Sequence, residues 1–217
     1  MLFLLRLRPP QVPTWIDIGA LICDAAHSKD WKVKGKKIDR SNDGYARVSG
    51  ANTIAGYSAQ KFGDEAVKLR FRCSLDYTGG WVALMLRSNG PTKALWIAGQ
   101  TYGLLLRSSQ VELQRWKAGA CTTLALVNFP IPEDEIFTLR FSARNENGAV
   151  VLTVVINDEE ILSFTDTADP ITESGYFSIM IFDNNHIDIY ARPSSLSTGI
   201  GRIRLPWDLP YNTIYIL

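Results

Sequence analysis

The sequence has few of the residues on which catalytic and metal chemistry most often depend. It contains two histidines and three cysteines, with no CxxC pair, no HExxH and no glycine-rich phosphate loop. A zinc site, a metalloprotease site and a nucleotide-binding loop each need one of those patterns. His27 and His186 are far apart and have no flanking ligand or Ser/Cys partner pattern, so no catalytic triad is predicted.

Excess charge and long hydrophobic runs are also missing. The chain has 23 Lys and Arg against 22 Asp and Glu, a formal net charge of +1, which leaves no net field to recruit nucleic acid or an anionic membrane. The apolar start is interrupted by Arg6 and Arg8, and no window approaches the length of a transmembrane helix. We therefore expect no nucleic-acid partner and no membrane insertion. The chain is either made without a signal peptide or is a piece of a longer secreted protein.

The three cysteines, Cys23, Cys73 and Cys121, cannot all pair with one another. A chain of 217 residues has enough core not to need a disulfide, so whether any of them pair stays open. Cys73 falls in register with apolar neighbours and is interpreted as a buried small hydrophobe.

What the sequence does have is apolar residues alternating with polar ones, most clearly from Glu65 to Trp116. A two-residue period is typical of a half-buried β-strand. Apolar and polar sides alternate in the first strand of this stretch, with Val67, Leu69, Phe71 and Cys73 on one side and Lys68, Arg70 and Arg72 on the other. The stretch is predicted to be an antiparallel meander with one apolar face and one face of functional side chains.

Similar runs occur on both sides of this stretch, separated by Gly, Asn and Asp turns. A first strand is predicted from about Trp15 to Cys23, a hairpin at 41–45, and weaker strands near the C-terminus. Val150–Ile156 is predicted to be a central strand that is either buried on two faces or lines a concave surface. No segment shows sustained helical periodicity with a cap. The prediction is a single all-β, two-sheet antiparallel sandwich domain over residues 14–217, preceded by a proline-containing lead-in over residues 1–13.

The order of these segments resembles a known fold family. An opening WKV strand, the pair LRFRCSLDYTGGWVALMLR, the hairpin YGLLLRSSQVELQRW, and FTLRFSARNENGAVVLTVVINDEEILSFTD followed by ESGYFSIMIFDNNHIDIY are similar to concanavalin A-like lectin/glucanase jelly rolls, especially laminin-G-like and carbohydrate-binding modules. The resemblance covers roughly residues 31–190 and rests on strand order and turn placement. It implies two packed sheets with a glycan bound on a concave face or at edge loops, in an extracellular setting.

Catalytic members of that superfamily carry a Glu-x-Asp-x-Glu strand, whose alternation places three acids on one face. This chain has no such strand, because Glu133-Asp134-Glu135 is contiguous in a proline-containing loop and Asp158-Glu159-Glu160 sits at a hairpin turn. We therefore expect a non-catalytic carbohydrate-binding module with a glycan or polysaccharide partner. A glycan-active enzyme, whose carboxylates are distant in sequence and meet only in the fold, is an alternative.

Sugars are bound by aromatic rings beside planar polar groups. Seven residues on the polar side of the meander combine the two kinds and form the candidate glycan-binding set: Arg70, Trp81, Arg87, Trp96, Glu112, Gln114 and Trp116. Burial of any one tryptophan as a packing residue is the competing interpretation. Tyr102 shares the parity of Leu104 and Leu106 and is predicted to be core, whereas Trp15, Trp31 and Trp207 are expected to pack near the chain ends.

No cofactor is predicted, although one segment has the composition of a calcium site. Asp183, Asn184, Asn185 and Asp188 offer hard oxygen ligands, but an Asx-type turn is the favoured interpretation. The rival to sugar binding is a structural or interaction subunit of an extracellular or viral assembly, either a homo-oligomer or part of a larger parent protein. The apolar terminal segments MLFLL and YNTIYIL favour this rival, because unpaired strands promote strand addition.

Overall fold

The computed structural model describes residues 15–42, 44–75, 79–97, 99–133 and 135–191, which form two stacked β-sheets. The predicted lead-in, Trp207 and the predicted C-terminal strands lie outside these ranges. The strands are β1 Trp15–Asp17, β2 Trp31–Lys34, β3 Asp39–Arg40, β4 Tyr45–Ser49, β5 Ile54–Phe62, β6 Ala66–Ser74, β7 Trp81–Ser88, β8 Gln100–Leu106, β9 Gln110–Lys117, β10 Ala120–Asn128, β11 Phe137–Glu146, β12 Ala149–Ile156, β13 Glu159–Asp166, β14 Gly175–Phe182 and β15 His186–Tyr190.

Both sheets are antiparallel apart from one short parallel contact. The eight-stranded sheet runs β13-β12-β11-β6-β15-β4-β3, and β1 pairs in parallel with the start of β6. The seven-stranded sheet runs β10-β9-β8-β7-β14-β5-β2. The predicted all-β, two-sheet antiparallel sandwich is thereby confirmed.

The core lies between the facing sides of the two sheets. Phe137, Leu139 and Phe141 of β11 are buried in it, and so are Cys73 and Tyr102, as predicted. At one end four rings pack together, Trp31 lying 5.5 Å from Tyr57 between ring centroids. The expectation that Trp31 is a packing residue is confirmed, since its ring is buried.

Apart from residues 95–97, the predicted meander is correct in its strands, but it is wrong in assigning them to a single sheet. β6 pairs with β11 and β15 in the eight-stranded sheet, whereas β7 to β10 are successive neighbours in the seven-stranded sheet. The chain therefore crosses from one sheet to the other between Ser74 and Trp81. Alternation reports which side of a strand is buried, but it carries no information on which sheet the strand joins.

The predicted strand from Trp15 to Cys23 is also wrong after its third residue. The chain forms helix α1, Ile18–Cys23, whose N-terminus is capped by the Asp17 carboxylate accepting from Ala20 N at 3.1 Å. Ile18 and Ile22, four residues apart, share the buried side of the helix. In so short a segment the same apolar residues fit both the two-residue period of a strand and the 3.6-residue period of a helix. Within the described ranges, no helix is long and apolar enough to cross a membrane.

Two further segments differ from the predictions. Residues Leu95–Ile97, expected to be extended, form a turn of 3-10 helix. Of the two alternatives for β12, burial on both sides is wrong, because its odd-numbered residues are half-buried and that side faces solvent. The lysine-rich strand β2 lies at an edge of its sheet, and its lysines are exposed.

Candidate functional site

The outer side of the seven-stranded sheet carries an apolar cluster that is separate from the core. Val82, Leu84 and Leu86 of β7 belong to the core, so the alternate residues of that strand lie on the opposite side. The outer cluster consists of Ile54, Trp81, Ala83, Met85, Ala94, Leu95, Leu105 and Met180, with Trp116 packed against it. Trp81 and Trp116 are therefore displaced from the sandwich interior to a second apolar layer.

The connection between β7 and β8 covers one half of this outer face. Pro91 lies directly over β5 and β14, since its carbonyl accepts from Ser178 Oγ at 2.9 Å and a Cβ at Gly56 would collide with it. Leu95, further along the connection, rests on Gly103 of β8. The β9–β10 half of the face lies beside the connection.

A hydrogen-bonded row of side chains runs along β9 on that half of the face. The indole Nε1 of Trp116 donates to Gln114 Oε1 at 2.8 Å, and Gln114 Nε2 donates to Glu112 Oε1 at 2.7 Å. Thr123 of β10 donates to the same Glu112 oxygen at 2.9 Å, while Arg107 Nη2 donates to the other at 3.1 Å. The spacing of two residues places Glu112, Gln114 and Trp116 on one side of β9.

The electrostatics of the row keep Glu112 ionised. Burial alone raises the pKa of this carboxyl, but hydrogen bonds from Gln114, Thr123 and Arg107 outweigh burial, and its pKa is lower than usual. The residue is 8% exposed, so its charge is held mainly by these donors. The row is a fixed polar array with one guanidinium at its end.

The three tryptophans predicted for the site differ in how far they are buried. Trp81 lies flat against Phe182, with ring centroids 4.9 Å apart and planes 8° apart, and is almost buried. Trp116 is half-buried, and Trp96 is 42% exposed. Trp96 lies near the β9–β10 turn, because Ala118 N donates to Gly99 O at 2.6 Å and the Trp96 carbonyl borders Gly119.

Arg87 was predicted to share this face, and the structure corrects that prediction. Its backbone φ is +58°, at a bulge where Leu86 and Arg87 lie opposite the single residue Phe177. The bulge turns the side chain into the interior, where it is fully buried. Its guanidinium donates to Ala143 O at 2.6 Å and to Asn145 Oδ1 at 2.8 Å. Arg87 therefore joins the two sheets and is not available to a surface ligand.

Arg70 does face outward as expected, but on the other sheet. It belongs to β6, and its guanidinium lies 5.7 Å from the ring centroid of Tyr190 on the outer side of the eight-stranded sheet. The two outer faces point in opposite directions, so Arg70 cannot join Glu112, Gln114 and Trp116 in one site.

Two of the four oxygen-bearing residues considered for calcium, Asp188 and Asn185, are engaged by other groups. Asp188 is held on the outer face of the eight-stranded sheet by Arg47, at 2.6 and 2.8 Å, and by Arg72 at 3.0 Å. Asn185 instead donates to the Phe182 carbonyl in the turn. Within the described part of the chain, no group of three or more His, Cys, Asp or Glu residues is arranged to hold a metal ion. The set does not fit a calcium ion.

Two members of the row, Arg107 and Thr123, were missed by the sequence reasoning. Arg107 follows Leu105 at the two-residue spacing, a signal that could have placed it on the outer side. Thr123 could not have been placed in the same way, because a bulge in β10 between Thr123 and Ala125 breaks the alternation.

No protein-family model matches the sequence, and no curated protein matches it either. Solved structures do match. The carbohydrate-binding module CBM66 from Bacillus subtilis aligns with a TM-score of 0.57 at 15% identity, over 73% of this chain and 91% of that one. A legume lectin-like domain from Entamoeba histolytica aligns with a TM-score of 0.54 at 12% identity, over 77% and 90% of the two chains. A family 7 alginate lyase, A1-II′, aligns with a TM-score of 0.50 at 10% identity, over 72% and 81%.

These proteins are concanavalin A-like jelly rolls, and this chain has the same fold. The predicted resemblance is thus confirmed at the level of the fold. One of the three structures is a lyase, so the architecture hosts both binding and catalysis.

Proposed function

We propose that this protein is a non-catalytic glycan-binding module whose site lies on the β9–β10 half of the outer face of the seven-stranded sheet. The observation that carries the proposal is the row from Arg107 through Glu112 and Gln114 to Trp116. The exposed residue Trp96 belongs to a segment whose backbone lies against the β9–β10 turn, near the Trp116 end of this row. This row combines fixed planar polar groups with indole rings, the two kinds of surface that a sugar needs.

The chemistry of each side chain in the proposed site suggests its role. The indoles of Trp96 and Trp116 would stack on the apolar faces of sugar rings. Arg107 and Gln114 would donate to hydroxyl oxygens. Buried Glu112, whose two oxygens already accept from neighbouring side chains, would hold both donors in place. The N–H of Trp116 is already bound by Gln114, so the ring is held in place before a ligand arrives, which reduces the ordering cost of binding.

The state of Glu112 argues against glycoside hydrolysis at this site. A general acid for that reaction needs a raised pKa so that it carries a proton at neutral pH. Hydrogen bonds from three side chains instead lower the pKa of Glu112 against the opposing effect of burial. We therefore expect binding without cleavage.

The fold similarity supports the proposal in general terms. CBM66 is a carbohydrate-binding module, and the Entamoeba histolytica domain is described as lectin-like. We further propose that the module acts outside the cell, where polysaccharides are accessible to it, as part of a larger protein or an oligomer.

The test is a glycan array followed by titration calorimetry with the best ligand. Trp116→Ala and Trp96→Ala should each weaken binding by about tenfold or more, since each removes a stacking ring. Tyr176→Ala is the matched control, because this half-buried ring lies on β14, away from the β9–β10 half of the face. It should leave the affinity unchanged. Thermal unfolding of all variants checks that they fold.

The same experiment separates the rival functions. Binding that is insensitive to both tryptophan changes would contradict the proposed site, and absence of any glycan ligand would favour the interaction subunit. Release of oligosaccharide products from the bound polysaccharide would favour an enzyme and overturn the non-catalytic part of the proposal.

A further inference from the structure

The outer face of the eight-stranded sheet has a strip of cationic side chains along β4, β6 and β15. Lys68, Arg70 and Arg72 occupy alternate positions of β6 and are half-buried, whereas the residues between them are buried. Arg47 of β4 faces the same side, since it and Arg72 both donate to Asp188. Among the outward side chains of these three strands, the four cations face one carboxylate, that of Asp188, which is fully buried. This cationic strip therefore has a local positive charge, although the whole chain has a net charge of only +1.

The cationic strip already binds a carboxylate of the chain itself. Arg47 donates to both oxygens of Asp188, at 2.6 and 2.8 Å, and Arg72 adds a third bond at 3.0 Å. Paired N–H donors of this kind are the strongest way in which a guanidinium recognises a carboxylate. Each guanidinium has more N–H donors than Asp188 uses. The side chains of Arg47 and Arg72 are 34% and 35% exposed, so part of each remains accessible to a ligand from solvent.

An aliphatic strip lies beside the cationic strip on the same face. Val151 and Val155 of β12 are half-buried and point away from the core. Val155 is paired with Arg140 of β11, and Arg140 is paired with Lys68 of β6, so the two strips share one surface with β11 between them. Arg140 also lies over the Trp15 ring, 5.5 Å from its centroid. The face is thus cationic on one side of β11 and apolar on the other.

We propose that this face docks an acidic, amphipathic segment of a partner protein, which lies extended over β11 with carboxylates toward β6 and aliphatic side chains toward β12. Successive side chains of an extended segment point to opposite sides, so alternating acidic and aliphatic residues would reach both strips. Carboxylates two residues apart are spaced by about 6.6–6.8 Å along such a segment, which is also the spacing of alternate residues along β6. Each cation of β6 can therefore meet one carboxylate.

Other occupants match this face less well. A second copy of the chain would bring like charges together, which opposes association. The chain's own terminal segments have the same sign of charge, since residues 1–14 contain two arginines and no acidic residue, and residues 192–217 contain three arginines and one aspartate. A polysaccharide or a nucleic acid has no aliphatic side chains to pack on Val151 and Val155. The proposal is independent of the proposed glycan site, which lies on the outer face of the other sheet.

The test is fluorescence anisotropy with a labelled peptide of Glu-Val repeats, at low ionic strength because salt screens attraction between exposed charges. Lys68→Glu and Arg70→Glu should each weaken binding by about tenfold or more. Lys34→Glu is the matched control, because it makes the same change in net charge on exposed strand β2 of the other sheet. It should leave the affinity unchanged. Thermal unfolding of each variant checks that it folds.

Two further measurements test the aliphatic strip and locate the peptide. Val155→Ser should weaken binding of the Glu-Val peptide, and a peptide of Glu-Ser repeats should bind more weakly to wild type, because each change removes apolar contact. A carbodiimide joins a carboxylate to an amine that it touches, so treatment of the complex should link the Glu-Val peptide to Lys68 and not to Lys34. Peptide mapping by mass spectrometry identifies the linked lysine.

Several outcomes would overturn the proposal. They are no binding of the Glu-Val peptide, an equal loss of affinity in Lys34→Glu, or equal affinity for the Glu-Ser peptide. An acidic polysaccharide or single-stranded DNA that binds more tightly than the peptide, and that also loses affinity in Lys68→Glu, would overturn the choice of a protein partner. Lys68→Glu should keep glycan binding and Trp116→Ala should keep peptide binding, so failure of one proposal is distinguishable from failure of the other.

Discussion

The indole N–H of Trp116 donates to the side-chain oxygen of Gln114 at 2.8 Å, on the outer side of a strand whose other side faces the core. Gln114 is in turn fixed by Glu112, and Glu112 by Arg107 and Thr123. The orientation of one ring thus depends on a chain of side chains that reaches across two strands, β9 and β10, and the turn after β8. Substitution of Glu112, Arg107 or Thr123 should therefore change the orientation of the Trp116 ring, although none of these residues is hydrogen-bonded to it.

Glu112→Gln tests the charge of the row. The variant keeps the shape of the side chain but loses the charge-assisted bonds, so at neutral pH it should be less stable than wild type by about 1 kcal/mol. The folded protein holds the pKa of Glu112 below its usual value of 4.5, so this stabilisation is present above that pH. It is lost as the pH falls through the lowered pKa.

Urea unfolding of both proteins at neutral and at acidic pH measures the difference. It should shrink as the pH is lowered. Glu160→Gln, on the exposed edge of β13, should show almost no difference at either pH. If the difference in unfolding free energy between Glu112→Gln and wild type stays constant with pH, the carboxylate is not the source of the stability.

Arg87→Met tests the buried guanidinium that joins the two sheets. The variant removes the donors to Ala143 O and Asn145 Oδ1 and leaves those acceptors in the interior, so unfolding free energy should fall by about 3–5 kcal/mol. Arg144→Met, between these two acceptors on β11 and half-buried beside Glu146, should cost less than about 1 kcal/mol. Chemical denaturation measures both, and similar losses in the two variants would contradict a structural role for Arg87.

Gly56→Ala tests how the β7–β8 connection is held against the sheet. The added Cβ would collide with the Pro91 carbonyl and should lift the connection, exposing Lys93 to faster cleavage by trypsin. We also expect a loss of about 1–3 kcal/mol in stability. Gly63→Ala meets only ordinary contacts and is the control. Equal cleavage at Lys93 in both variants would show that Pro91 does not fix the connection.

Cys121 offers a chemical test of the candidate site. It is the exposed thiol of the three, whereas Cys73 is buried in the core, where burial raises the pKa of its thiol well above the usual value. A bulky maleimide should therefore react first at Cys121 in the folded protein. Because Cys121 lies directly opposite Trp116, the modified protein should lose glycan binding.

The control is Cys121→Ser, which should bind normally and resist inactivation by the reagent. Peptide mapping identifies the modified residue. Full binding after complete modification of Cys121 would place the ligand elsewhere on the molecule.

Much of this fold could be predicted from the alternation of apolar residues, because each strand has one buried side. The inward rows containing Phe137, Phe141 and Tyr102 lie where the two-residue period places them. Glu112, Gln114 and Trp116 were also grouped correctly on one side of a strand. Residues spaced two apart lie on the same side of a strand, whichever sheet that strand joins.

The errors have a common physical origin in contacts between distant residues. Arg70 and Trp116 were placed on one face because both follow the same alternation, but β6 and β9 joined different sheets. Arg87 left its predicted side because a single bulge reversed the parity of its strand. The helix Ile18–Cys23 was missed because six residues fit both periods, and the Asp17 cap decided between them.

The sequence by itself determined that this chain is a β-sandwich and which residues of each strand face away from the core, because a period of two is a property of the local backbone. Only the tertiary structure decided which outward residues share a surface and which arginine is buried. Those features depend on the order of strands in each sheet, and that order is set by packing between segments far apart in the chain.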